Sequence, residues 1–398
     1  MRILYALPEN LNRSSGGIVH FLSVARALQR LGHDVRILAP QYGPTIRRRQ
    51  DLKGIYLPVL WRGVFTYLWF QVLAGLVFPF IWLLFRPDVV LVRGGDATFF
   101  VLFAVARLFG VRVVVEVNGI VWAELPSRGF PGIYARAAWW MGLLQCRTAN
   151  RIIAVTPAIG EELARAYGIP RDRIVPIQNG ADPDLFDPGR REDAREALSI
   201  PPEKFVVGFT GVFAPWHGVL ELVESARHLG ADVRRDVLYL MVGNGQLWDT
   251  VRRRVDQWGL QDVVRLPGMV PHSRIAPYYA AFDIGVFVST DAAITRYGRS
   301  SLKFWEYLAA GLPVLVSDDC NVTPIVEGNR MGIVIRDVTP QTLAARITEA
   351  YRRREELAET GRRNRELVIQ KFSWLAVARR VAKVCAGEPL GPADAPTP

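Results

Sequence analysis

Short β-branched runs alternate with amphipathic stretches along almost the whole chain, the pattern of parallel α/β units. In the first half the runs predict strands at 2–7, 34–39, 88–93, 112–117, 151–155 and 174–178, with helices at 17–31 and 157–166 between them. A Pro- and Asp-rich stretch, Asp182-Pro183-Asp184-Leu185-Phe186-Asp187-Pro188-Gly189, then breaks the pattern. It restarts with strands at 205–209, 237–242, 263–266, 284–288 and 313–316, and helices at 218–228, 246–258 and 301–310. Two consecutive Rossmann-like domains follow: 1–188, and 201–371. A final helix at 372–386 is expected to pack back on the first domain, and 387–398 reads as a Pro- and Ala-rich disordered tail.

One segment departs from this alternation. Positions 64–85, VFTYLWFQVLAGLVFPFIWLLF, hold no charged residue, and Arg62 and Arg86 flank them. The length reaches the roughly 20 residues of a membrane span. Pro79 interrupts it, Gln71 and Gly75 dilute it, and it lies between strands that must share one sheet, so a span would part those strands. Trp61, Trp69 and Phe70 beside Arg47-Arg48-Arg49 favour a helix at the headgroup level of a membrane over a purely buried one.

Composition narrows the partner. Of 398 residues, 50% are hydrophobic and 22% charged, which excludes disordered, collagenous and coiled-coil proteins. The net charge of +11 sits mostly in the first half, where residues 1–190 carry 22 Lys and Arg against 13 Asp and Glu. An anionic partner is implied. No zinc-finger spacing, RNP-like motif or basic heptad region points to nucleic acid. Three scattered cysteines, Cys146, Cys320 and Cys385, and no secretory signal at Met1 favour a reducing, cytoplasmic setting.

Two places carry chemistry. Ser14-Ser15-Gly16-Gly17-Ile18 opens a long helix, where glycines admit a ligand to the free N–H groups; it lacks the G-x-G-x-x-G of dinucleotide binders. At 300–315, S-S-L-K-F-W-E-Y-L-A-A-G-L-P-V-L starts a helix on serine caps. Lys303 lies in its first turn, and Glu306 follows three residues on, on the same face. A phosphate met by helix N–H groups and the Lys303 ammonium, and a ribose diol donating to Glu306, would satisfy both. A lone K-x-x-E is more often a surface salt bridge, a reading that the A-A-G-L-P-V continuation disfavours.

These motifs resemble glycosyltransferase family 4, with its two-Rossmann GT-B fold facing across a cleft. The resemblance covers nearly the whole chain, through 300–315, N-G-A-D-P-D-L-F at 179–186, G-V-F-A-P-W-H-G-V at 211–219, L-P-G-M-V at 266–270, and S-S-G-G-I with G-H-D-V at 32–35. It implies a nucleotide-diphosphate sugar as donor, with Lys303 on the diphosphate beside Ser301 and Leu302, and Glu306 on the ribose. Gly16 and Gly17 would close on the phosphate, and the backbone of Met269 and Val270 would meet the base. It also implies retaining transfer with no obligatory metal and no other cofactor, Lys303 serving as electrostatic catalyst. The chain departs from the pattern where relatives carry a first Glu, here Gly298, and at the G-R-x-x-x-x-K-G phosphate motif, where Val212 and His217 stand. His217 would then donate to phosphate as a neutral ring. Asn118 replaces a common His and would contact donor sugar or acceptor, with Asp96 and Glu124 on the acceptor side.

The resulting expectation is a hexosyltransferase that acts on a glycan or lipid-linked acceptor in cell-surface polysaccharide or glycolipid synthesis. It would be cytoplasmic, and peripheral on an anionic membrane through 61–86. Its rivals are a GT-B-fold sugar-nucleotide epimerase and an inactive nucleotide-sugar-binding scaffold.

Overall fold

A computed structural model of the chain describes residues 1–12, 15–42, 51–59, 64–95, 99–126, 129–290, 301–318 and 321–391. Its contacts divide it into two compact units. The first holds Met1–Asn179 and Trp374–Pro396, and the second Gly180–Arg296 and Ser301–Ser373.

The first unit is built on seven parallel strands: β1 Arg2–Ala6, β2 Asp34–Gln41, β3 Lys53–Pro58, β4 Val89–Gly94, β5 Arg112–Val117, β6 Arg151–Ala154 and β7 Ile174–Pro176. Their spatial order is β3-β2-β1-β4-β5-β6-β7, so the winding reverses between β1 and β4. The sequence pattern leaves out β3, an edge strand with Lys53, Gly54 and Pro58, which are poor strand formers.

Its helices are α1 Gly16–Arg30, α2 Val64–Phe85, α3 Phe100–Leu108, α4 Val121–Glu124, α5 Gly132–Thr148 and α6 Pro157–Tyr167. Contrary to the expected interruption, α2 runs unbroken through Pro79. It joins β3 to β4 in one sheet, and Phe70, Ala74, Phe78, Ile81 and Phe85 follow a helical stripe into the core, where they meet Val90, Val92, Phe99 and Phe103. It is also the one helix among the described residues long and apolar enough to cross a membrane, with only 39% of its apolar window buried.

The second unit has six parallel strands: β8 Phe205–Thr210, β9 Val237–Val242, β10 Val264–Gly268, β11 Ile284–Phe287, β12 Val314–Ser317 and β13 Gly332–Ile335. Their order is β10-β9-β8-β11-β12-β13, reversing between β8 and β11. The sequence pattern leaves out β13, an edge strand that opens on Gly332. The helices are α7 Arg191–Ala197, α8 Val219–Ser225, α9 Ala231–Asp236, α10 Trp248–Gln257, α11 Ala276–Ala281, α12 Leu302–Ala309, α13 Thr323–Asn329, α14 Pro340–Arg352 and α15 Arg354–Leu367. The last helix, α16 Trp374–Ala386, returns to the first unit and buries Val377, Ala378, Val381 and Val384. There Arg112 Nη1 donates to the Cys385 carbonyl at 2.5 Å.

Candidate functional site

Ligands of doubly wound sheets bind outside the carboxyl ends of the strands, where the order reverses. In the second unit that place lies beyond β8 and β11, and its walls are backbone. Gly211 follows β8 and Gly243 follows β9, and a Cβ at Gly243 would stand 1.8 Å from the Gly211 carbonyl oxygen. At φ +152° no other residue fits Gly243 without moving the loop. The G-N-G at 243–245 after β9 is the sequence signal for this close approach.

Lys303 lies in the first turn of α12 and is half-buried. Its ammonium sits 4.3 Å from the centroid of the Phe209 ring and 5.4 Å from that of Phe287. Both rings stand at the ends of β8 and β11, and a Cβ on Gly211 would be 3.7 Å from the Lys303 nitrogen. Ring faces attract a cation, so a positive charge is fixed beside the glycine loop and the helix N-terminus. Ser301 is the N-cap in an extended conformation, but its side chain makes no capping bond. The serine expected at the cap is thus in place at Ser301, without the side-chain bond a capping serine makes. Leu302 opens the helix proper.

Glu306 turns inward. Its Oε1 accepts from His272 Nε2 at 2.7 Å, and its Oε2 accepts from the Tyr279 hydroxyl at 2.6 Å. Tyr279 is held in turn by Thr210 Oγ1 at 2.8 Å, while the Thr210 amide donates to Tyr307 at 2.9 Å. Burial, and then the charge of Glu306, pushes the Tyr279 hydroxyl well up, so it remains a donor. Burial alone would lower His272, but the hydrogen bond and charge of Glu306 more than reverse this and raise it above the ordinary histidine value. Each carboxylate oxygen keeps a second lone pair for a ligand. His272 and Tyr279 were not singled out in the sequence because they precede Glu306 by 34 and 27 residues. Met269 and Val270 lie three and two residues before His272; Met269 is 75% exposed and Val270 packs against the core.

A raised histidine stabilises the fold fully below its unfolded value, near 6.5, and loses that contribution as pH rises through the folded value. The urea midpoint of the wild type is therefore expected to fall across the range above 6.5, and His272→Gln to flatten that dependence. The same variant should raise the donor KM about 5- to 30-fold with a smaller change in kcat. A parallel loss of both parameters with an unchanged pH profile would contradict the pairing.

His217 lies in the short turn Pro215–His217, its Nδ1 2.7 Å from the Val212 carbonyl. A carbonyl only accepts, so Nδ1 carries a proton and the neutral ring has no N–H left at Nε2. The expected donation from a neutral His217 to phosphate is thereby corrected: it requires the doubly protonated ring.

In the first unit α1 begins at Gly16, and the Ser15 side chain accepts from the Ile18 amide. The Glu9 carboxylate stands over this turn, 2.9 Å from where a Gly17 Cβ would be, and Ser15 Oγ donates to it at 3.3 Å. Gly17 thus admits a carboxylate of this chain to the place expected for phosphate. Asn118 follows β5 and donates through Nδ2 to the Gly94 carbonyl at 3.4 Å and the Glu116 carbonyl at 3.3 Å. Glu124 at the end of α4 folds over Gly119, beside Asn118. Asp96 and Gly298 lie outside the described residues.

A buried polar cluster sits beneath Asn118, unanticipated from sequence. Glu116 receives His20 Nε2 at 3.1 Å and the Tyr5 hydroxyl at 3.3 Å, with Arg93 Nε 3.7 Å away. His20 Nδ1 lies 2.6 Å from the Asn179 carboxamide, and the ring meets Trp374 edge-on at 5.1 Å. Burial would raise the Glu116 carboxyl, but His20 and Arg93 hold it at about 2. Burial pushes His20 down against the pull of Glu116. A charged residue inside the run V-V-V-E-V was the available signal.

Residues 14–185 match the Glycosyltransferase Family 4 model, and 190–367 match that of Glycosyl transferases group 1. The chain belongs to glycosyltransferase family 4. It is 30% identical over 245 residues to D-inositol 3-phosphate glycosyltransferase 2 of Catenulispora acidiphila, a match covering 59% of this chain and 56% of that protein. The chain thus spans about half the length of the curated relatives it matches. Its fold is that of a glycosyltransferase from Rickettsia africae ESF-5, at TM-score 0.76 and 20% identity over 97% of this chain and 98% of the other. A second neighbour is Anabaena Alr3699/HepE in complex with UDP and glucose, at TM-score 0.74 and 17% identity over 97% and 100% of the two chains. Both units of this family 4 member are Rossmann-like, the GT-B architecture.

Proposed function

We propose that this family 4 member moves a hexose-type sugar from a nucleotide-diphosphate donor to a glycan or lipid-linked acceptor carried by the first unit, with retention of anomeric configuration. One observation carries the reading. The Lys303 ammonium is held by the Phe209 and Phe287 rings beside the Gly211 loop, and three residues along the same helix a carboxylate is fixed by His272 and Tyr279. Diphosphate and ribose diol are the pair of groups such a site would take. Relatives named as glycosyltransferases, and a neighbour solved with UDP and glucose, support it.

As the bond between the sugar C1 and the diphosphate oxygen breaks, negative charge grows on the leaving group. Lys303 and the N–H groups at Ser301 and Leu302 would stabilise it, the task of an oxyanion site. The acceptor oxygen forms its bond to C1 on the same face, and its proton passes to the departing phosphate oxygen. This reading routes no step through a metal. Asn118 and Glu124 would orient the acceptor, Asn118 through its carboxamide and not as a base. The work would take place at the cytoplasmic face of the cell membrane, in surface polysaccharide or glycolipid synthesis.

Thermal shift against UDP-, GDP-, ADP- and TDP-sugars tests the donor. A ligand at about 100 times its dissociation constant stabilises by roughly 2.7 kcal/mol, and one nucleotide class is expected to do so. Donor turnover is then expected to require an acceptor. Isomerised donor without acceptor would instead establish an epimerase, and binding without any turnover a scaffold.

A further inference from the structure

Thirteen of the large hydrophobic side chains exposed on this protein fall between Leu68 and Leu144 of the first unit. We propose that α2, α3 and α5 together form one docking face that seats in the headgroup and upper acyl region of a membrane leaflet rich in anionic lipid. This deepens the membrane part of the reading above, extending it from one helix to three, and it is independent of the transfer chemistry.

Two of these helices are apolar on their outer faces as well as toward the core, and bury polar side chains besides. On α2 the side chains turned to the protein include Thr66 and Gln71, each 2% exposed, and Gln71 Oε1 is buried with no hydrogen-bond partner. The side chains turned outward are Leu76, Phe80 and Leu84, at 67%, 65% and 82% exposure. On α5, Gln145 is fully buried, accepting from the Phe99 amide and donating to the Gly95 carbonyl, while Ile133, Trp140 and Leu144 are more than half exposed. A helix whose outer face meets water carries polar groups there. Between the two, α3 ends on Leu108, 85% exposed. Because α2, α3 and α5 all reach the same core cluster and pack side by side, their outward residues form a continuous apolar surface.

Charge decides the occupant. None of the three helices contains Asp or Glu. The cations at this surface are Arg86, Arg107, Arg136 and Arg147, all exposed. A second copy of the same face would set arginine against arginine, whereas anionic headgroups satisfy every one of them. Trp140 and Tyr134 add the amphipathic rings that favour the interface between headgroups and chains. Since α2 begins and ends in strands of one sheet, the face lies on the leaflet and does not cross it.

The test is flotation of the full chain with phosphatidylglycerol-containing vesicles and with phosphatidylcholine vesicles. Wild type is expected to float with the anionic vesicles and to release at about 1 M salt, where screening acts within about 3 Å. An α5 variant, Ile133→Ser with Trp140→Ser and Leu144→Ser, is expected to lose at least tenfold in partitioning. So is an α2 variant carrying Leu76→Ser, Phe80→Ser and Leu84→Ser. Both should keep the wild-type circular dichroism and melting midpoint, because all six side chains are surface residues. An α5 variant that floats like wild type would overturn the three-helix face while leaving membrane contact through α2 intact. Wild type that does not float, or that instead dimerises with concentration, would overturn both. Turnover of a water-soluble acceptor reports separately on the transfer reaction.

Discussion

Lys303→Ala is expected to lower kcat/KM for the nucleotide sugar by about 10²- to 10³-fold, the size of effect seen when one donor to a developing oxyanion is removed. The Lys303 ammonium is placed by the Phe209 and Phe287 rings, so it needs no rearrangement to meet charge that appears as the donor bond breaks. Its contribution should grow between bound donor and transition state, and kcat should therefore fall more than KM rises. Lys303→Met keeps the stem and removes only the charge, and should be impaired nearly as much. Lys303→Arg is expected to recover little, because a planar guanidinium beside Gly211 puts its donors elsewhere. Steady-state kinetics with one donor, beside the melting midpoint of each variant, decides the matter. A lowered midpoint with unchanged kinetics would make Lys303 a packing residue.

Glu116→Ala should be the most damaging single change to the first unit, costing about 3–5 kcal/mol, because it strands a buried cation. Arg93 is 6% exposed and His20 2%, so neither regains water when the carboxylate goes. The pH dependence follows from the direction of the shift. A carboxyl held at about 2 in the fold, against 4.5 ordinarily, contributes stability above the ordinary value and loses it as pH falls toward the lower one. Denaturant midpoints of the wild type should therefore decline between about pH 5 and pH 2, and Glu116→Gln should show a shallower decline from a lower start. An equally steep decline in the variant would assign the acid sensitivity to other carboxyls.

The strands of both central sheets were legible because a parallel strand buried on both faces is a run of Val, Ile and Leu, as in V-V-L-V of β4 and V-L-Y-L-M-V of β9. Edge strands were harder to see. The β3 sequence K-G-I-Y-L-P carries residues that sheets reject at their centre, and β13, G-I-V-I, opens on a glycine. Lys303 and Glu306 could be read together because one helix turn separates them. His272 and Tyr279 belong to the same arrangement only once β10, α11 and β11 have folded. In α2 the sequence showed apolar residues all round; which of them face the protein depends on where β3 and β4 lie. Glu116 and His20 sit 96 residues apart, and nothing local announced that strand and helix would bring them to 3.1 Å.

The return of α16 to the first unit has a consequence for how the protein is made. A chain emerging from the ribosome completes the second unit at Ser373, while the first unit still lacks Val377, Val381, Val384 and the Cys385 carbonyl that receives Arg112. Domains ordinarily fold in the order in which they are synthesised. Here the unit that is translated first waits for α16, and until that helix docks, α1 presents an uncovered apolar side to solvent and to chaperones.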